Sequence, residues 1–115
     1  MRIWKKIEVC GHTITVKLVP GDHFPHEQDG ETHHTSGTIL LTERPEHPSR
    51  VMDTFLHELC HVVWEANGIE NYMKTHFRLT YPQVRRIEEQ IIRMLVPGLL
   101  QGMRGAGLLS RRVIK

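Results

Sequence analysis

Two histidines four residues apart, with a glutamate beside the first, are the residues of this chain best suited to chemistry. His57, Glu58 and His61 form a His-Glu-x-x-His pattern. On a helix, residues four apart share one face, so both imidazoles can bind one Zn²⁺ from the same side. The glutamate lies one step round the helix, where it can activate a water without occupying the metal. The pattern predicts one zinc per chain, with the histidines as ligands and Glu58 as catalytic base.

The helix that carries this pattern is predicted to follow Ser49, a good N-cap, and to end near Asn67-Gly68, a pair suited to a left-handed C-cap. Its apolar face comprises Val51, Met52, Phe55, Leu56, Leu59, Val62 and Val63. Both histidines fall about 180° from the centre of that face, at roughly 100° per residue. The helix is therefore expected to bury one face and present the imidazoles on the other. The alternative is a pair of surface histidines in simple i,i+4 contact.

The segment Thr-Phe-Leu-His-Glu-Leu-Cys-His-Val-Val-Trp, at 54–64, resembles the active-site helix of zincin metallopeptidases. Over roughly residues 7–96, the order of hairpin, edge strand, this helix and an acidic helix is similar to their smallest members. These are the phage-encoded, ImmA/IrrE-type and SprT-like peptidases. The metzincin extension is missing, because no histidine follows His61 until His76. The resemblance implies a minimal zincin-like fold, peptidase activity and a gluzincin-like site, in which a glutamate of the next helix is the third ligand.

Two adjacent glutamates compete for the position of third ligand. On a helical wheel, Glu88 falls inside the apolar face, between Val84 and Ile92, whereas Glu89 falls outside it. A carboxylate on a buried face is costly unless it is paired or bound to a metal. This argument favours Glu88 over Glu89. The alternative is that both are solvated acids paired with neighbouring arginines.

Several other polar residues have open roles. Trp64 either shields the site or packs in the core, and Cys60 is expected to be a small packed thiol. Three residues are candidates to hold a tetrahedral oxyanion: Tyr72, His76 and Tyr81. Four histidines lie in the predicted loop 20–36 and either bind a second metal or are surface residues: His23, His26, His33 and His34.

The remaining sequence predicts the elements that position this site. Alternating β-branched residues indicate strands at 2–9 and 12–19, and a third short strand is predicted at 37–42. The resemblance to zincins implies that this third strand pairs with an extended peptide substrate. A second helix is predicted over Pro82–Val96, closed by Pro97-Gly98, with 98–115 a loose basic tail. The prediction is one α+β domain over 1–115, with about three antiparallel strands packed on the active-site helix and a second helix.

Composition limits the class of protein. The chain has 115 residues, of which 39% are hydrophobic and 24% charged, as in soluble globular domains. No apolar run approaches the roughly 20 residues of a membrane span, and no secretory signal is visible. Cys10 and Cys60 cannot form a disulfide framework, so a reduced, cytoplasmic protein is expected.

The charges are unevenly distributed along the chain. Residues 1–70 carry 6 Lys/Arg and 11 Asp/Glu, a net −5, whereas 71–115 carry 9 and 2, a net +7. The basic half is either a solvated surface docked on the acidic half or a face for nucleic acid or a protein partner. The rival function is thus a non-catalytic, zinc-containing binding module. Glu58 favours the peptidase acting on a peptide or protein substrate, and at most weak, non-specific nucleic-acid binding is expected.

Overall fold

The computed structural model describes residues 5–25, 28–44 and 46–107. The elements in chain order are β1 (Lys6–Val9), β2 (His12–Val19), β3 (Gly30–His33), β4 (Thr38–Thr42), α1 (Pro48–Ala66), α2 (Ile69–Phe77) and α3 (Tyr81–Gly105). The predicted α+β class is confirmed. Of the first predicted strand, residues 2–4 lie outside the described part of the chain.

The sheet is mixed and has four strands in the order β1-β2-β4-β3. β1 pairs with β2 and β3 with β4 in antiparallel fashion, but β2 and β4 are parallel. The prediction of about three antiparallel strands was wrong on both counts. β3 lies inside the segment predicted as a loop, and its sequence Gly-Glu-Thr-His has no apolar alternation. This strand is held by its backbone ladder to β4, which hydrophobic periodicity does not reveal.

The strand predicted at 37–42 corresponds to β4, which lies inside the sheet. Its neighbours β2 and β3 bind it on both sides, so its backbone groups have no room for an added peptide strand. The expectation that a substrate pairs here was therefore wrong. β3, at the end of the sheet, contacts the predicted active-site helix, as β4 does, and among the described strands only β4 pairs with it, so its other edge is open.

The hydrophobic core lies between the sheet and the helices. Its buried members are Ile14, Val16, Ile39, Leu41, Val51, Met52, Phe55, Leu56, Val62, Ile92, Val96 and Leu100. Alternate residues of β2 and β4 face α1, as the period of two requires. The buried α1 residues belong to the predicted apolar face, and Leu59 packs against the core, but Val63, which was also predicted there, is exposed. Each fully buried aliphatic side chain contributes about 1.5–3 kcal/mol to stability.

α3 packs against α1 and is longer than predicted. It begins with a capping box, in which Thr80 accepts a hydrogen bond from the Gln83 N–H and Gln83 accepts one from Thr80. Pro97 lies inside the helix, although it has no N–H to give to the carbonyl four residues earlier. Val96 and Leu100, on either side of this proline, are buried in the core. Tertiary packing therefore keeps the helix continuous at a proline, a residue that normally ends a helix.

The predicted tail is helical up to Gly105, and residues 108–115 lie outside the described part. The predicted N-cap Ser49 was wrong: α1 begins at Pro48 with His47 as its N-cap, and Ser49 lies in the first turn. The helix ends at Ala66, next to Asn67-Gly68, where predicted. Gly68 then takes a left-handed conformation with φ +64°, which glycine tolerates best, and starts the unpredicted α2. Within the described residues, no helix combines the length and apolarity that a membrane crossing demands.

Candidate metal centre

The two histidines of the His-Glu-x-x-His pattern meet α3 at one side of α1, in a cleft that is also lined by β3. The Nε2 atoms of His57 and His61 lie 3.3 Å apart. His61 is buried, with a side chain 9% exposed, and His57 remains 24% exposed. The helix therefore turns both imidazoles toward one point, as the i,i+4 spacing predicted, and α3 covers that point.

Glu89, and not Glu88, completes this group. The Glu89 Oε1 atom lies 2.8 Å from His61 Nε2 and 3.5 Å from His57 Nε2. Among the described residues, these three side chains form one set whose ligand atoms all lie within 4.8 Å of one another. The preference for Glu88 as the residue facing both imidazoles is therefore corrected in favour of its neighbour.

Glu88 contacts the opposite side of the His61 ring. Its Oε2 atom is hydrogen bonded to Nδ1 of His61, and its other oxygen lies 3.6 Å from Nη1 of Arg85. The wheel correctly predicted that Glu88 is buried beside Val84 and Ile92, and it is 2% exposed. The buried Glu88 carboxylate is hydrogen bonded to Nδ1 of His61 and does not contact the Nε2 atoms of the two histidines. A carboxylate in this position fixes the ring and leaves Nε2 available for a metal.

The donor set fits zinc in both chemistry and spacing. Imidazole nitrogen and carboxylate oxygen are both zinc ligands, with bond lengths of about 2.0–2.2 Å. Ligand atoms around a tetrahedral ion at such distances lie about 3.4 Å apart. The three separations in this group run from 2.8 to 3.5 Å, so a small outward movement of Glu89 suffices to admit the ion.

The electrostatics of the group keep its carboxylate ionised. Partial burial raises the pKa of Glu89, but the imidazoles of His57 and His61 and the guanidinium of Arg93 outweigh that effect. The net result is a pKa below the ordinary value of a glutamate. A metal ligand must be deprotonated, so this environment prepares Glu89 for a cation.

Glu58 is held beside the histidines by the edge strand. The hydroxyl of Thr32 in β3 donates a hydrogen bond of 2.7 Å to the Glu58 Oε1 atom. Thr32 therefore positions the predicted general base, a role that the sequence did not reveal because the segment around it was predicted to be a loop. The only available signal was a single β-branched residue in a polar stretch.

A cleft of about 710 Å³ runs between β3 on one side and α1 and α3 on the other. The residues that line it include Gly30, Thr32, His34, Thr54, His57, Glu58, His61, Arg85, Glu89 and Arg93. Gly30 lets the strand approach the helix, because a Cβ there would lie 2.6 Å from the Thr54 methyl group. The cleft brings the metal-ligand group, the predicted base and an open strand edge together.

The other polar candidates lie elsewhere. Tyr72 and His76 stack on each other in α2, and neither lines the cleft. Tyr81 lines a neighbouring cavity of about 450 Å³ together with Trp64, which is buried and whose Nε1 atom has no hydrogen-bond partner among the described residues. Burial raises the pKa of the Cys60 thiol, which packs against the core as predicted and stays neutral.

The loop histidines do not converge on a second metal-ligand group among the described residues. His33 is paired with Glu31 at 2.9 Å, and His34 with Glu65 at 2.5 Å. His23 packs edge-on against Phe24, and residue 26 lies outside the described part.

Comparison with known proteins found no matching family model, no matching curated protein and no matching solved structure.

Proposed function

We propose that this protein is a zinc-dependent peptidase whose metal ligands are His57, His61 and Glu89. The observation that carries the proposal is the convergence of these three ligand atoms within 4.8 Å, beside Glu58 and an open cleft. Three protein ligands leave one of four tetrahedral positions for water or substrate, which is the pattern of catalytic zinc. A purely structural site has no use for a fixed carboxylate beside the ligands.

The zinc ion, when bound, supplies Lewis acidity, which lowers the pKa of water and polarises a scissile carbonyl. Glu58 is the general base: its carboxylate accepts the proton of the attacking water and returns it to the leaving amine. Thr32 fixes one oxygen of that carboxylate, and Glu58 lines the cleft. Glu88 holds the His61 ring in the orientation that ligation requires.

β3 provides the binding edge for an extended peptide. The Thr42 N–H donates to the Asp29 carbonyl, so the alternation of an antiparallel ladder turns the backbone groups of Gly30 and Thr32 outward. The Gln28 side chain covers the Gly30 carbonyl at 2.8 Å. Thr32 therefore offers its N–H and carbonyl to a peptide while its hydroxyl holds the base, which aligns the peptide with the catalytic carboxylate.

Metal analysis tests the ligand set. The wild-type chain is expected to bind one zinc, and a His57→Ala, His61→Ala double variant is expected to bind none. A His12→Ala, His76→Ala variant is the matched control, because it removes two histidines that do not line the cleft. Equal zinc in all three proteins would refute the metal site.

The catalytic role is tested by Glu58→Gln, which keeps the shape of the side chain but cannot accept a proton at neutral pH. The variant is expected to keep its zinc and to lose about 10²–10⁴-fold in the rate of peptide cleavage. Glu70→Gln, on α2 and paired with Lys74, is the control for loss of one negative charge. Cleavage of a quenched-fluorescent peptide library by Glu58→Gln at the wild-type rate would exclude the assignment.

A further inference from the structure

We infer that Arg93 binds the C-terminal carboxylate of a peptide substrate, so that the protein acts as a carboxypeptidase and removes the last residue of a peptide chain. The inference rests on the proposed peptidase function and names its substrate class, which is peptides with a free C-terminus. Arg93 lies on α3, one helical turn beyond the proposed metal ligand Glu89, and lines the same cleft. Its guanidinium places a permanent positive charge beside the metal-ligand group.

A direct contact joins Arg93 to the metal-ligand group. Its Nε atom lies 3.3 Å from Oε2 of Glu89, and the other oxygen of that carboxylate lies 2.8 Å from Nε2 of His61. The guanidinium and the imidazole are therefore separated by one carboxylate group. Arg93 and Glu89 are four positions apart on one helix, so the helix itself keeps the positive charge next to the ligand atoms.

Arg93 is the more accessible of the two arginines that line the cleft. Its side chain is 75% exposed, whereas that of Arg85 is 47% exposed and contacts the buried Glu88 carboxylate at 3.6 Å. When Glu89 binds a metal, the cation takes up its negative charge and weakens its attraction for the guanidinium. An arginine offers five N–H donors in a planar fork that fits a carboxylate bidentately. Arg93 in the metal-loaded chain is therefore suited to bind a second carboxylate, from the substrate.

The acids of the cleft leave room for one more negative charge. Asp29 is paired with two arginines at 3.2 and 2.8 Å, and Glu31 is paired with a histidine at 2.9 Å. Apart from the predicted base and the metal ligand, Asp53 is the remaining acid of the cleft. The two arginines Arg85 and Arg93 outnumber it, so an anionic group is attracted to the α3 side of the cleft.

The closeness of Arg93 to the ligand atoms favours the end of a chain over other carboxylates. Three bonds separate the last peptide carbonyl carbon from the terminal carboxylate carbon, a distance of less than about 4 Å. A terminal carboxylate bound by Arg93 therefore places the last peptide bond at the metal-ligand group. The acid of an aspartate or glutamate side chain lies further from that bond and loses more rotamer freedom on binding.

The edge of β3 and the C-terminal carboxylate are bound at opposite walls of the cleft. The backbone of Thr32 pairs with the extended peptide on one wall, and Arg93 holds the terminus on the other. One water is consumed in the reaction: its oxygen joins the carbonyl carbon, and the C–N bond to the last residue breaks. Glu58 accepts a proton from the water and gives it to the leaving amine. The products are a peptide shortened by one residue and a single amino acid.

The experiment compares three peptides on the zinc-loaded full chain. They share one sequence and end in a free acid, in a C-terminal amide, or in an amide whose last residue is glutamate. Mass spectrometry is expected to show that the wild type removes single residues from the free acid about 10-fold faster than from either amide. This is the scale for an exposed hydrogen bond between two charged groups.

Substitution of Arg93 separates substrate recognition from support of the metal ligand. Arg93→Gln is expected to cleave the free acid and the amide at the same rate, and Arg93→Lys, which keeps the charge, recovers part of the preference. Arg86→Gln is the matched control, because Arg86 is exposed on the same helix and does not line the cleft. Zinc content is measured for each variant. Loss of metal lowers both rates alike and leaves their ratio unchanged, whereas loss of the carboxylate site changes the ratio.

Equilibrium binding gives a readout that does not depend on turnover. Zinc-loaded Glu58→Gln is expected to bind the free acid about 10-fold more tightly than the amide, and the preference is expected to vanish when Arg93→Gln is added. Equal treatment of acid and amide, cleavage at internal bonds, or a preference that survives Arg93→Gln would overturn the inference and leave the peptidase assignment intact. Equal binding of the free acid and the glutamate amide would also overturn it, since Arg93 would then select acidic side chains. If the wild type binds no zinc or cleaves no peptide, the proposed function fails and the carboxypeptidase activity fails with it.

Discussion

Replacement of Glu89 by glutamine distinguishes the two neighbouring acids of α3 more sharply than any other change. Glu89 Oε1 faces the Nε2 atoms of both histidines, whereas Glu88 faces only Nδ1 of His61. Glutamine conserves the shape of either side chain and removes its charge. Glu89→Gln is therefore expected to remove an anionic ligand, and Glu88→Gln only the partner that orients another ligand.

The expected magnitudes follow from these positions. Loss of a partner that orients a metal-binding histidine lowers metal affinity about 10–100-fold, and this is the prediction for Glu88→Gln. Loss of a charged ligand has a larger effect, on the order of 10³-fold, equivalent to about 4 kcal/mol. The order of the two effects is the reverse of that expected from the helical wheel, which favoured Glu88.

Competition for zinc against a chromogenic chelator measures both affinities. Glu70→Gln is the control, because this acid lies on α2 and pairs with Lys74 away from the cleft. Circular dichroism of each variant confirms that the helices are retained. A greater loss of affinity in Glu88→Gln than in Glu89→Gln would mean that α3 is rotated relative to the arrangement described. Unchanged affinity in both variants would refute the participation of α3 in the metal site.

Three further outcomes are expected. Removal of zinc by a chelator is expected to lower the melting temperature by about 10–15 °C relative to the chain at a free zinc concentration of about 1,000 Kd. At that concentration, a metal bound only by the folded chain stabilises it by about 4 kcal/mol. An unchanged melting temperature would contradict this prediction. Gly30→Ala is expected to destabilise the fold by about 1–3 kcal/mol in urea, through its collision with Thr54, whereas Gly102→Ala, which has open space in α3, stabilises it by about 0.5–1 kcal/mol. Equal unfolding midpoints for these two variants would show that β3 does not approach α1 this closely. Fluorescence anisotropy with labelled oligonucleotides is expected to detect only weak binding that is lost between about 50 and 200 mM salt; tight, sequence-selective binding would favour the binding-module alternative.

The sequence by itself determined the local features of this protein. The apolar periodicity defined α1 and its buried face, and the alternation of β-branched residues defined β2. The spacing of His57 and His61 was sufficient to bring their Nε2 atoms within 3.3 Å, because four residues on a helix span about one turn. The burial of Glu88 also followed from its position between two aliphatic residues. Each of these features depends on residues within a few positions of one another.

Only the tertiary structure decided which elements meet and at what angle. Glu88 and Glu89 differ by about 100° around α3, so the rotation of that helix against α1 decides which of them faces the imidazoles. The identity of the edge strand depended on β3, whose four residues are held by hydrogen bonds to β4 rather than by apolar burial. Thr32 and His34 reach the cleft from that strand and the turn that follows it, 23 or more positions before His57 in the chain. Contacts between such distant residues are fixed by packing of the whole domain, and no local pattern encodes them.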